Sequence, residues 1–292
     1  MSPEEIRIEA VTTNGSGPGS PNGEGPKAPL RLGGMALRNG LLIHGPKGWA
    51  CAARAPDGSI GVASGRKPSF TPGRLGRIPM LRGPLRLAEA LAVVPIARKN
   101  LPSARLPFED VRVVIAALGT MIASGAIRNG DEEDPTSPVR EGIASAIGIV
   151  PALVALRSSD LAAYHGVEHK AIAAYEAGLA DPAEAAKEHE RCGSNLLAPL
   201  LILSVAGQLI VERLIEEPGQ LARGAAGLAS VGLAVEMFAW AERHPDSSFT
   251  TAFRRPGNEI QRRFATREPT AEQLEVGSAA LAEILAVEKS LQ

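Results

Sequence analysis

The chain has 292 residues, with 31 Lys+Arg against 32 Asp+Glu and a formal net charge of -1. That length can bury one large core or two small ones, and the charge balance excludes a generally basic nucleic-acid binder. Two cysteines, Cys51 and Cys192, cannot staple a small secreted fold.

Residues 1–30 begin MSPEEIRIEA and continue in Gly, Pro, Ser and Asn. No basic segment leads into an apolar one, so no secretory signal is expected, and the composition predicts a disordered tail. From Arg31 to Arg86 there are ten Lys/Arg and one acid, Asp57. Trp49–Arg54 and Ile60–Ser64 flank a Pro56-Asp57-Gly58 turn signal, which predicts a β-hairpin, with Met35–Ile43 as a further short strand. The glycines here do not sit in a strand-to-helix phosphate loop. The basic stretch suits either a solvated surface or a segment held against anionic lipid.

Four stretches are nearly free of charge: Val113–Ile127, Gly142–Leu156, Cys192–Val211 and Gly224–Val235. The third spans about 30 Å as a helix, the thickness of a bilayer core, whereas the first two are short enough to be buried helices of a soluble bundle. Charge placement favours the membrane. The 31–86 region and the Arg243–Arg267 stretch are basic, while the 128–141 loop (Asp131, Glu132, Glu133, Asp134) and the loop after the third stretch (Glu212, Glu216, Glu217) are acidic. Positive residues gather on the cytoplasmic side, so four passes with both termini inside fit. The exception is 157–191, with seven acids against four bases. Gly119, Ser124, Gly148 and Gly207 would suit close helix packing.

Between the second and third stretches, Asp160 can cap a helix beginning at Leu161 and Gly178 can end it. Asp181, Pro182 and Glu184 then read as a second helix start, giving a helical hairpin over 160–192. On the first arm His165 and His169 are four apart on one face, with Glu168 between them. His-x-x-Glu-His is the inverted-zincin order, in which two imidazoles bind the metal and the carboxylate works on its water. On the second arm His189 and Cys192 would share a face. Folding back about position 179.5 sets residue 169 level with about residue 190. The four side chains His165, His169, His189 and Cys192 could therefore converge on zinc or another divalent transition metal. Four ligands would make a closed structural site, and three would leave a position for water. Glu176 lies roughly 16 Å along the helix from His165, too far to share its ion. Glu236, a carboxylate inside an apolar stretch, needs a partner and is a candidate downstream acidic ligand. His44 and His244 stand in Gly/Pro contexts unlike a ligand's, and Cys51 reads as a hairpin core residue.

Several motifs in order resemble the bacterial YqhQ-like family, a domain of unknown function (domain 1385). They are Gly33-Gly34 through Gly45-Pro46 with the Pro56-Asp57-Gly58 turn, Ile78-Pro79-Met80-Leu81-Arg82-Gly83, and Tyr164-His165-Gly166-Val167-Glu168-His169-Lys170. Tyr175-Glu176-Ala177-Gly178, His189-Glu190-Arg191-Cys192-Gly193 and Thr266-Arg267-Glu268-Pro269 complete the series. The likeness runs over about residues 33–290 and implies a multi-pass, metal-dependent membrane protein without supplying an activity. Asn39, His44 and Met35 depart from the family pattern, which puts that part of a shared site in doubt. Beyond it, Thr270 with Gln273 forms a capping box, and Leu274, Leu281, Ile284, Leu285 and Glu288 give a helix with one apolar face.

The expected architecture is mainly α, with about four membrane helices, a cytoplasmic helical-hairpin insert and a small N-terminal β-hairpin subdomain. Its parts are a tail (1–30), a basic subdomain (31–84), a helical membrane domain (85–241) and a cytoplasmic C-terminal segment (242–292). The expected partner is the lipid bilayer of the cell membrane and not nucleic acid, with protein partners unspecified. The leading function is a membrane-embedded, hydrolase-like metalloenzyme with Glu168 as general base. The alternatives are a non-catalytic membrane scaffold with a structural metal, and a soluble helical protein.

Overall fold

The computed structural model describes residues 29–70, 78–129, 138–157 and 159–292, so most of the expected tail and the acidic residues 131–134 lie outside the described residues. Four strands form an antiparallel meander: β1 (Gly33–Ala36), β2 (Gly40–His44), β3 (Gly48–Arg54) and β4 (Ile60–Arg66). The expected hairpin is β3–β4, with Gly58 at φ +87° in its turn. The expected single strand Met35–Ile43 is instead two, paired with Gly34 opposite Ile43. The chain reverses at Leu37–Asn39, where the Leu37 N–H bonds the Gly40 carbonyl. Gly40 has no side chain because a Cβ there would lie 2.0 Å from the Ala52 carbonyl oxygen on β3.

The sheet is buried on both faces, and the period-two alternation of its residues says which faces which way. Leu41, Ile43, Ala50 and Ala52 pack with Tyr164, Val167 and Ile172 of α5 (Ser159–Ala177) and Val276, Ala280 and Ile284 of α9 (Ala271–Ser290). Leu42, Trp49, Cys51 and Ala53 face α1 (Arg82–Asn100) through Val93, Val94 and Ala97. Asn39 is a bracket in this unit, donating to the Arg54 and Ser103 carbonyls and accepting from the Arg105 N–H. The capping box at Thr270 is formed. At the other end of α9, the buried Glu288 carboxylate accepts the N–H groups of Lys47 and Gly48, at 2.7 and 2.6 Å, and so closes the β2–β3 turn.

The apolar stretches form a separate layer: α2 (Val111–Asn129), α3 (Pro138–Ile147) with α4 (Val150–Leu156), α6 (Leu197–Leu214) and α7 (Gln220–Arg243). Four segments are long and apolar enough to cross a membrane, Val111–Arg128, Val139–Leu156, Gly193–Leu214 and Gln220–Arg243. Only 11% of each of the first three is buried within the protein, and 22% of the fourth. Val139, Ile122, Ile202, Leu214 and Leu221 are 70, 69, 69, 80 and 92% exposed. A water-soluble bundle would bury such side chains, so this surface suits lipid. Ser124 donates to the Ala144 carbonyl of α3, and Gly207 lies against Ser230 of α7, so both serve helix contact. Gly119 meets nothing, and Gly148 marks the break between α3 and α4.

Glu236 of α7 is not near the histidines. Both its oxygens pair with Arg82 at the start of α1, and one accepts the Met80 N–H. Met80 stands at φ 67° with its carbonyl against Gly232, so Ile78–Gly83 is a clasp joining the sheet layer to α7. This overturns Glu236 as the downstream ligand, because its carboxylate is already saturated by a guanidinium.

Replacing Glu288 with Ala strands two turn N–H groups and should cost about 3 kcal/mol. Thermal unfolding of the detergent-solubilised protein would read this as a lowered midpoint, and an unchanged midpoint would deny Glu288 its role.

Candidate metal centre

Helix α5 is enclosed: β1 and β2, α9, and the segments 182–192 and 261–268 surround it. It carries little amphipathic pattern because it is buried nearly all round. Its start is Ser159, not Leu161, so Asp160 lies in the first turn. Its end matches expectation. Gly178 at φ 67° sends its N–H to the Tyr175 carbonyl, and the Leu179 N–H bonds that of Ala174, a Schellman ending.

The second arm is not a helix. Asp181 caps only a 3-10 turn, Pro182–Glu184, after which the chain runs irregularly to Cys192. The reason lies in its carbonyls. Those of Ala183 and Ala185 accept from the buried Lys170 ammonium, at 3.0 and 2.8 Å, and that of Lys187 bonds His169 Nδ1 at 2.6 Å. A helix would have needed the same oxygens for the N–H groups four residues on.

The fold-back nevertheless delivers the expected neighbours. One donor atom from each of His165, His169 and Cys192 lies within 4.8 Å of the others. Cys192 Sγ is 3.5 Å from His165 Nε2. The edge between sulfur and nitrogen ligands of a tetrahedral zinc is about 3.6 Å, from bond lengths of about 2.3 and 2.05 Å. Glu168 Oε2 is 4.0 Å from His165 Nε2. The fourth expected side chain, His189, has its ring centroid 5.7 Å from that of His169, but its Nε2 faces Glu176 Oε2 at 3.4 Å. Glu176 also pairs with Arg191, so it holds the second arm rather than the cluster.

Both imidazoles of α5 are oriented from behind. His165 Nδ1 lies 2.8 Å from the Ala265 carbonyl and His169 Nδ1 2.6 Å from that of Lys187. A carbonyl only accepts, so each Nδ1 carries the proton and each Nε2 offers a lone pair to the cluster. His169 Nε2 is buried and has no hydrogen-bond partner. Burial draws the His169 pKa down to about 3, with His165 adding to the effect, so this ring is neutral. Burial also raises the Cys192 thiol, and pushes the Glu168 carboxyl up to about 7 against the pull of His165.

Residues that spacing alone did not assign complete the frame. A Cβ on Gly34 would stand 2.7 Å from Glu168 Cγ, and one on Gly166 would stand 2.3 Å from the Arg267 carbonyl oxygen. The glycines therefore let β1 and the 266–269 strand of chain close on α5. The Ala265 carbonyl is presented by a π-helical turn, Gln261–Ala265, following α8 (Ser248–Ile260). Gln261, fully buried, accepts the His189 N–H with its Oε1. A π turn has no local sequence signature that would have announced it. Cys192 caps a 3-10 turn, Gly193–Leu196, leading directly into α6, so the thiol sits at the mouth of an apolar helix. His244 stacks on Trp240, and His44 lies against Gly33. Both His44 and Met35 line a cavity of about 590 Å³ that also reaches His165, Glu168 and Cys192.

Fold and cluster together define a membrane-type helical protein with a buried His/His/Cys cluster between a small sheet and one end of four apolar helices. Residues 146–287, a little under half of the chain, match the model of the family described as Protein of unknown function (DUF1385), the family its motifs resemble. No curated protein and no solved structure matches the chain.

Burial, aided by Lys67, lowers the His44 pKa from 6.5 to about 4. The unfolded chain then binds the extra proton first, so stability present above pH 6.5 falls as pH drops toward 4 and levels off below. The contribution is at most about 3.4 kcal/mol. His44→Gln should flatten this part of the acid profile in thermal melts taken from pH 7 to 4. An unchanged profile would show that other groups set it.

Proposed function

We propose that the chain is an integral membrane metalloprotein with hydrolase-like chemistry, its site at the cytoplasmic face of the cell membrane. The unpartnered, buried Nε2 of His169 carries this reading. A buried polar atom without a partner is costly, and a metal bond would satisfy it. His165, His169 and Cys192 would hold the ion, and a set of two imidazoles and a thiolate suits zinc. A bound zinc supplies Lewis acidity and brings the pKa of a water toward about 7.

Glu168 is the general base. Its carboxylate takes a proton from the attacking water and returns it to the leaving group, so water is added across one bond and the carboxylate ends as it began. His165, His169 and Cys192 would hold the ion from one side and the cavity lies beside them, so a water could reach it there. The orientation rests on charge: the sheet subdomain and the 243–267 stretch, both basic, lie at the same end of the helices as the cluster.

One observation favours the rival, a scaffold with a structural metal: the ring of His189 is near enough to His169 to turn inward as a fourth ligand. Metal analysis of purified protein separates the two. The catalytic reading expects about one zinc per chain, lost by at least tenfold in His165→Ala, His169→Ala and Cys192→Ser, and kept in Glu168→Gln and His189→Ala. Loss in His189→Ala would favour the closed site, and a metal-free wild type would sink both. Alkaline carbonate should leave the protein in the membrane fraction and detergent should release it; release by carbonate would overturn the membrane assignment.

A further inference from the structure

The cavity of about 590 Å³ has two unlike ends. At one end are His165, Glu168 and Cys192. At the other are Phe108, Val113 at the start of α2, and Ala152 and Ala155 of α4. The apolar end is continuous with the face assigned to lipid, since Phe108, Val111 and Leu153 are 56, 65 and 45% exposed. Among the described residues no lysine lines this cavity, and its arginine, Arg191, is paired with Glu176 and Glu242. The apolar end thus has no charge to recognise a soluble ion.

We propose that this cavity takes a membrane lipid from the bilayer, one hydrocarbon chain lying between α2 and α4 and the hydrolysable headgroup linkage beside Glu168. The proposal names the substrate class for the hydrolase-like reading above and rests on it for the chemistry, though not for the binding. A spanning peptide helix is a poorer occupant. A helix about 10 Å across fills about 120 Å³ per residue, so the cavity would hold only about five residues of one. A flexible chain needs no such width, and cavities of this size are ordinary for ligands of a few dozen atoms. Entry from the bilayer requires no charged access route, and the break between α3 and α4 at Gly148 places the short α4 at the cavity wall.

The test is photolabelling of the full chain in phosphatidylcholine/phosphatidylglycerol nanodiscs containing a trace of phosphatidylglycerol with a mid-chain diazirine, mapped by mass spectrometry. We expect peptides covering 107–113 and 151–156 to be labelled at least fivefold above the lipid-facing stretches 202–210 and 221–228. Filling the cavity with Ala152→Trp or Ala155→Trp should remove that excess while zinc content is kept. Ala155→Leu, a milder filling, should reduce it in part. Even labelling of all four helices in the wild type overturns the lipid site, whether or not the tryptophan variants fold. So does an excess that survives in the filled variants. Focused labelling that persists in His165→Ala after the metal is lost supports the lipid site independently of the metal. Focused labelling of a wild type that holds no metal would sink the hydrolase reading and leave the lipid site standing. Zinc bound by a wild type that labels evenly would do the reverse.

Discussion

The structure turns on burying the polar face of α5. Two imidazoles and a carboxylate within five residues cannot leave water without partners, and a helix offers them none of its own. Here the partners are backbone carbonyls brought from two distant segments, Lys187 from the fold-back and Ala265 from the π turn. Each segment gives up regular structure to present its oxygen. The same demand explains Lys170, whose ammonium, buried on α5, gathers the carbonyls of Ala183 and Ala185 and pairs with Glu268. One helix therefore dictates the course of both chains that lie over it.

The sheet supplies the other wall, and it is made close by what it lacks. Gly34 lets β1 approach until its backbone lies against Glu168, and Gly33 does the same for His44. Helix α9 locks this wall from behind through Glu288, so the end of the chain fixes the position of a turn near its beginning. The clasp of Arg82 on Glu236 then ties the whole layer to α7. The cluster thus sits between a water-type core, packed on both sheet faces, and helices whose apolar surface is mostly left outward.

Much of this was legible in the residues. The i, i+4 histidines, the Gly178 ending, the capping box and the apolar stretches are local patterns, and each formed as read. What failed was continuation. Asp181-Pro182-Glu184 starts a 3-10 turn as readily as a helix, and the outcome was settled by Lys170 and His169, thirteen and eighteen residues away from the carbonyls they claim. Met35–Ile43 broke into two strands at the local turn Leu37–Gly40, closed by the Leu37 N–H on the Gly40 carbonyl, where Asn39-Gly40 is itself a turn signal that the strand reading passed over. Glu236 was rightly expected to need a partner, but the partner was a guanidinium across the layer boundary rather than a metal.

The acidic 157–191 segment was the one misfit in the charge pattern, and its contacts account for part of it. Glu176 is paired with Arg191, Glu190 with Arg254, and Asp181 is spent on capping the Ala183 N–H. Glu168 is buried in the cluster. Glu168 and Glu176 are thus taken up within the fold, whereas Asp160, Asp181, Glu184 and Glu190 stay exposed, so the segment keeps an acidic surface. Topogenic charge acts through what a loop exposes near the bilayer, and in the 243–267 stretch Arg255 and Arg267 are exposed while Arg262 and Arg263 share Glu259. Counting sequence charges made 157–191 an exception. Counting the charges left over after folding narrows the exception, because two of its seven acids are withdrawn into the cluster and its frame, but the exposed acids remain.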